Sequence, residues 1–147
     1  MEIKRSSQAI WHGSIKEGQG LLTTTSKALN QTPYSYTTRF QNEDGKMGTN
    51  PEELIAAAHA GCFTMAFSSQ LSGAGYPPTE LKTNATVIMK QMEGHFEISE
   101  IQLSLEGNVP GITEEKFLEL AQIAKKTCPV SKALSAVPIS LTSKLLR

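Results

Sequence analysis

The stretch LIAAAHAGCFTMAF, residues 54–67, constrains this chain more than any other. Apolar side chains fill nearly every position, so a helix through it would be greasy on all sides and stable only where burial covers it. His59 interrupts the run, and the run falls short of the roughly 20 residues that a bilayer demands. The expectation is a buried helix inside a folded protein. One of the chain's only two cysteines, Cys62, stands in the middle of it.

The start of that helix is written into TNPEE, residues 49–53. Asn50 is suited to cap it, Pro51 to open its first turn, and Glu52 and Glu53 to complement its dipole. With Asn50 as cap, Glu53 falls at the third helical position, where its carboxylate can fold back onto the cap amide as a capping box. Glu52 is then the freer acid. The helix should run to about Leu71 and stop at Gly73 or Gly75.

On either side the pattern changes. Between Glu2 and Phe40, Ser, Thr, Tyr and Ile alternate with polar residues and are broken by turns in HGSIKEGQG and LNQTPY. This reads as two or three antiparallel strands, the last ending in SYTTRF, followed by the polar loop QNEDGKMG. Residues 82–93 and 95–109 read as a hairpin through Gly94. In its second strand Phe96, Ile98, Ile101, Leu103 and Leu105 alternate apart from one slip, the mark of a bulge. A second helix, capped by Thr113, carries Phe117, Leu120, Ala121, Ala124 and Cys128 at helical spacing. Pro129 interrupts it, a short helix follows in PVSKALS, and PISLTSKLL closes the chain as a strand. The order βββ-α-ββ-α-α-β predicts one α+β domain over 1–147, with helices covering an antiparallel sheet.

Fourteen basic and fourteen acidic residues leave no net charge. That argues against nucleic acid or an anionic membrane as the main partner, because both require a positive excess. The opening MEIKRSSQAI carries charges where a secretory signal needs an apolar core, so a cytoplasmic setting with reduced thiols is expected. Two cysteines in such a setting suit a redox catalyst or sensor better than a stapled scaffold.

The two thiols differ in what surrounds them. Apolar burial raises a thiol's pKa and a helix dipole acts only near the ends, so Cys62 either fills the core as a small hydrophobe or reacts because a cation is brought to it. Arg39, in TTRF, is the nearest upstream cation and the candidate for that role, against a simpler part as an edge-strand charge. Cys128 precedes a proline that opens a new helix, which places its sulfur at an N-cap where amide N–H groups favour thiolate. Both thiols lie on apolar sides of their helices, and packing of those helices would bring them within bonding range. A metal site is the rival reading: His59 and Cys62, spaced i and i+3, could be joined by Cys128 and by His12 or His95. No second closely spaced ligand pair supports it, and His59 reads by default as a packed core histidine. Glu52 and Cys62 are ten positions apart on one helix, about 15 Å of rise and roughly 80° in facing. An acid beside Cys62 must therefore come from a second copy, through a two-fold interface between antiparallel copies of this helix.

LNQTPYSYTTRF, GTNPEELIAAAHAGCFTMAFS, VPGI and CPVSKAL, in this order and spacing, resemble the osmotically inducible protein C (OsmC) branch of the OsmC and organic hydroperoxide resistance (Ohr) family over essentially the whole chain. The resemblance implies an α+β fold with a buried central helix in an intertwined homodimer. It implies a two-cysteine peroxidase that turns alkyl or fatty-acid hydroperoxides into alcohols, as part of a stress response. Cys62 would be the attacking thiol, Cys128 the resolving thiol, Arg39 the cation favouring thiolate, and Glu52 the carboxylate orienting that arginine. Gly61 stands where many relatives carry Ala, which implies looser packing beside Cys62. Leu54, Phe63, Met65 or Phe67 would supply an apolar lining for the substrate. No cofactor is implied. An external dithiol, dihydrolipoamide or a lipoylated protein, would close the cycle. The alternative is a redox sensor or hydrophobic-ligand-binding dimer without turnover.

Overall fold

Alternation of side chains at the N-terminus produces three paired strands, β1 (Ser7–His12), β2 (Gln19–Thr24) and β3 (Thr32–Tyr34), in an antiparallel sheet of that order. Gly20 is paired with Trp11 on one side and Tyr34 on the other. Those two rings lean together over it with centroids 5.5 Å apart, occupying the space a Cβ would need. The computed structural model describes every residue, Met1–Arg147, and the chain divides into two compact units, Met1–Leu54 and Ile55–Arg147.

The first unit departs from expectation after Tyr34. SYTTRF is not the end of a strand: Tyr36–Phe40 form a short helix, α1. Ser35 caps it, its Oγ accepting from the Thr38 amide at 3.2 Å while Thr38 Oγ1 accepts from the Ser35 amide at 2.9 Å. This reciprocal pair is a capping box with Thr in the place usually held by Glu, and it outweighs the β-preference of Tyr36, Thr37 and Thr38. Arg39 is consequently a helical residue.

Helix α2 (Pro51–Gly73) follows and continues into the second unit. Asn50 Oδ1 accepts from the Glu53 amide at 2.8 Å, as its capping role requires. The Glu53 carboxylate instead accepts from Thr49 Oγ1 at 2.8 Å, so the expected full capping box is only half made. Helix α2 ends at Gly73, where the sequence places its stop. His59, Phe63, Phe67 and Leu71, four residues apart, are its buried face. The expected all-round burial is absent within one protomer: Ala57, Ala58, Gly61 and Met65 are exposed, Met65 to 76%. A Cβ at Gly61 would meet no atom within 4 Å inside one protomer.

In the second unit, β4 (Glu80–Met92) and β5 (His95–Asn108) form the hairpin through Gly94. Ile88 pairs with Glu100 and Met89 with Ile98, leaving Ser99 as the extra residue that produces the slip in alternation. Beyond this bulge Ile101, Leu103 and Leu105 all face the core. The chain then passes through α3 (Glu114–Thr127) and α4 (Pro129–Ala133) and returns as β6 (Ile139–Leu145), which pairs parallel to β5. The sheet, ordered β4-β5-β6, is therefore mixed and not wholly antiparallel. A helical crossover carries the chain back to the end where β5 began, and only a parallel strand can start there.

The core joins Phe63, Phe67 and Leu71 of α2 to the inner face of β5 and to Phe117, Leu120, Ala121 and Ala124 of α3. Phe117 meets Phe67 edge-on at 5.1 Å and sits over Gly107, where a Cβ would be 2.8 Å from its ring. Phe117→Ala would leave a cavity among these side chains, and we expect it to cost about 3–5 kcal/mol, read from denaturant midpoints.

Candidate active site

The first component lies in the Met1–Leu54 unit. Arg39, near the end of α1, offers one edge of its guanidinium to Glu52 in the first turn of α2. Nε donates to Oε1 and Oε2 at 3.2 Å each, and Nη2 donates to Oε1 at 2.7 Å. The Phe40 ring lies 4.9 Å from the guanidinium carbon and braces the group from another side. A planar fork held this way has a fixed direction, and Nη1 has no protein acceptor. Glu52 is thus the freer acid that the sequence indicated, and Arg39 is what occupies it.

The second component lies in the Ile55–Arg147 unit. Cys128 closes α3, its amide donating to the Ala124 carbonyl, and opens α4 with Pro129 at the first position. Packing of α2 against this junction holds the Cys62 and Cys128 sulfurs 3.1 Å apart, with both thiols free. A disulfide bond is about 2.05 Å long, so bond formation needs an approach of only about 1 Å. Cys62 is half-buried, whereas Cys128 is completely buried.

The surroundings favour charge on Cys128 and disfavour it on Cys62, as the helix-start position of the one and the apolar setting of the other lead one to expect. Burial pushes the Cys62 thiol up, and its hydrogen bond to Cys128 adds to this against a smaller opposing effect of the Val130 amide. For Cys128 burial also acts upward, but the Ser131 amide, the Cys62 thiol, the Ser131 hydroxyl and the Val130 amide together bring it below the ordinary thiol value. These α4 groups crowd the sulfur without forming a regular side-chain cap. When Cys128 carries the charge, Cys62 is the donor between them. No cation is among the groups that shift Cys62 within one protomer.

His59, one turn before Cys62 on α2, is fully buried, and its Nε2 lies 2.7 Å from Ser131 Oγ. Nδ1 has no partner. Burial pushes the imidazole below the ordinary 6.5, so the unfolded chain binds a proton here at a higher pH than the folded one. The stability that His59 contributes is complete above about pH 6.5 and is lost as pH falls through the lower folded value. Thermal midpoints should therefore drop on the acid side of neutrality, and less steeply in His59→Gln, with differential scanning calorimetry from pH 8 to 5 as the check.

One sequence reading needs correction. Phe63 and Phe67 cannot line a substrate site, since both are wholly within the core; of the suggested lining residues only Leu54 and Met65 retain exposure. The residues of the rival metal reading have other partners: His59 Nε2 is engaged by Ser131, and His95 lies beside Glu97 at 3.3 Å. Ser131 was passed over, although CPVS already places a serine at the third position of a helix opened by Pro129.

Residues 43–142 match the family model described as OsmC-like protein. The chain is 48% identical over 136 residues to Peroxiredoxin OsmC of Escherichia coli (strain K12), covering 92% of this chain and 93% of that protein. Among solved structures, an OsmC-like protein from Mycoplasma pneumoniae superposes with a TM-score of 0.75 at 18% identity, covering 100% of both chains. The organic hydroperoxide resistance protein OhrB of Bacillus subtilis gives a TM-score of 0.66 at 24% identity, covering 96% of this chain and 98% of that one. At these identities the structural likeness speaks for the fold.

Proposed function

The chain belongs to the OsmC-like protein family, and from that membership we propose that it is a thiol-dependent peroxidase that reduces organic hydroperoxides to alcohols. The observation that carries this reading is the pair of free thiols 3.1 Å apart, one accessible and one enclosed. Accessibility supports an order for them. Cys62 meets the peroxide, because a completely buried Cys128 cannot be reached by a bulky substrate. The Cys62 thiolate attacks one peroxide oxygen, the O–O bond breaks, and the departing alkoxide takes a proton to become the alcohol. Cys62 is left as a sulfenic acid. The Cys128 thiolate then attacks that sulfur, hydroxide leaves and is protonated to water, and a disulfide joins the two residues. An external dithiol, dihydrolipoamide or a lipoylated protein in the cytoplasm, reduces the disulfide and restores both thiols.

A cation is still required to draw charge onto Cys62, and we assign that part to Arg39 of a second copy. Glu52 and Cys62 share α2 but stand about 15 Å apart along its axis. The exposed Ala57, Ala58, Gly61 and Met65 make an apolar helix face suited to a two-fold partner. Such a dimer brings the Arg39–Glu52 pair of one protomer to the thiols of the other. The guanidinium would stabilise the thiolate and then the developing alkoxide.

Cys128→Ser separates this cycle from a redox switch. The variant should consume about one equivalent of t-butyl hydroperoxide per protomer in forming the Cys62 sulfenic acid, and a second only where excess peroxide carries Cys62 on to sulfinic acid. The wild type should continue as long as dihydrolipoamide is supplied. A wild type that stops after one equivalent with dithiol present would mark a sensor.

A further inference from the structure

The peroxidase reading leaves His59 without a task, yet it is a completely buried imidazole 2.7 Å from the Ser131 hydroxyl, which is among the groups that favour charge on the enclosed thiol. We propose that His59 and Ser131 are positioning residues for disulfide formation: the His59 imidazole holds the Ser131 hydroxyl so that its proton is directed at the Cys128 sulfur. The proposal rests on the two-thiol cycle above and adds to it a fixed donor for the resolving step.

The hydrogen inventory dictates the direction of the chain. A charged imidazolium would bury an Nδ1–H with no acceptor, and burial disfavours that form. Of the two neutral tautomers, protonation at Nδ1 would also strand a buried N–H and would make Ser131 give its only proton to Nε2. Protonation at Nε2 leaves just a lone pair unfilled at Nδ1. The Nε2–H then donates to Ser131 Oγ across 2.7 Å, and the Ser131 O–H is free for the sulfur three residues before it. The backbone supports this placement, because Cys128 opens α4 and Ser131 stands on the turn that follows. Among the groups favouring the Cys128 thiolate is this hydroxyl. The ionisable groups that face the sulfur are Cys62 and, through Ser131, His59, both from α2. Lys125 and Lys126 at the end of α3 and Lys132 of α4 line an open cleft that Ser131 also borders.

In the reaction the arrangement acts once Cys62 is a sulfenic acid. The Cys128 thiolate, held by the Ser131 hydroxyl, attacks the Cys62 sulfur. The S–S bond forms as the S–O bond breaks, Cys128 is oxidised while the sulfenic sulfur is reduced, and the hydroxide leaves as water with the proton Cys128 had released. His59 stays neutral throughout and transfers no proton.

The test uses the full-length protein and two readouts. In a Cys62→Ser background, thiolate absorbance near 240 nm titrates Cys128 without requiring a reagent to reach it. Adding Ser131→Ala or His59→Leu should move that titration upward by about one pH unit, a tenfold loss of thiolate below the pKa. His59→Gln, whose amide can again donate to Ser131, should stay near the parent. With both cysteines present, rapid quench after one equivalent of cumene hydroperoxide should show sulfenic acid forming at the parent rate and disulfide following about tenfold more slowly in Ser131→Ala and His59→Leu. A purely structural role would lower the melting temperature of these variants and leave the titration and the second step unmoved, and that result overturns the proposal. If cumene hydroperoxide oxidises no thiol in the parent, the peroxidase reading fails, whereas the titration still decides whether His59 and Ser131 govern Cys128.

Discussion

Replacing Cys62 by Ser should reduce steady-state consumption of t-butyl hydroperoxide by roughly 10³-fold or more, the scale on which enzymes lose rate when their nucleophile is removed. The change of one atom leaves packing almost untouched, since Cys62 is only half-buried and the adjoining core is built by Phe63 and Phe67. A hydroxyl has neither the acidity nor the soft electron pair needed to displace alkoxide from oxygen, and Cys128 cannot substitute because it is enclosed. The expected protein is folded, of unchanged melting temperature within about 1–2 °C, and inert towards peroxide. Appreciable activity in Cys62→Ser would transfer the nucleophile to Cys128 and reverse the order of attack.

Arg39→Ala should lower kcat/KM for organic hydroperoxides by about 10²-fold, in keeping with removal of one preorganised donor to developing negative charge. Lysine is not an adequate replacement, because Glu52 holds the guanidinium through both Nε and Nη2, and an ammonium cannot reproduce that fork. The stronger experiment mixes variants. If Arg39 serves the thiols of a second copy, a heterodimer of Cys62→Ser and Arg39→Ala protomers contains one complete site, made from the intact Cys62 of one chain and the intact Arg39 of the other. Co-refolding the two inactive variants in equal amounts should restore about a quarter of wild-type activity, because half the dimers are mixed and each mixed dimer has one of two sites intact. Light scattering on the same sample should report twice the protomer mass. A mixture as inactive as its components would place Arg39 and Cys62 in the service of the same chain.

Most of the fold is legible in the sequence because its signals are local. Asn50-Pro51 marks the start of α2, Thr113 the start of α3, and Cys128-Pro129 the junction where one helix stops and another begins. Even the bulge at Ser99 shows as a break in the alternation between Ile98 and Ile101. The failures have equally specific causes. Tyr36, Thr37 and Thr38 favour strand as residue types, but the Ser35–Thr38 exchange of hydrogen bonds makes a helix of them. The parallel pairing of β5 with β6 depends on where a crossover returns the chain, which no local pattern records.

The site divides along the same line. Residue chemistry picks out Cys62, Cys128 and Arg39, the family resemblance adds Glu52 as the partner of Arg39, and the pairs Cys62–Cys128 and Arg39–Glu52 form. The direction in which each thiol is shifted is foreshadowed by Cys128-Pro129 and by the apolar run around Cys62, but its detailed cause is not. That cause lies in which amides and hydroxyl face each sulfur, and these are set by α4 packing against α2. Ser131 escaped notice for that reason: its partner His59 is 72 residues away along the chain.

The central claim is that an organic hydroperoxide converts these two thiols into one disulfide within a single protomer. Intact-mass spectrometry of the reduced wild type after one equivalent of cumene hydroperoxide, followed by peptide mapping, measures it directly. The expected result is a loss of about 2 Da and a peptide linking Cys62 to Cys128, both reversed by dihydrolipoamide. An unchanged mass, or Cys62 carried to sulfinic acid while Cys128 remains a free thiol, would contradict it.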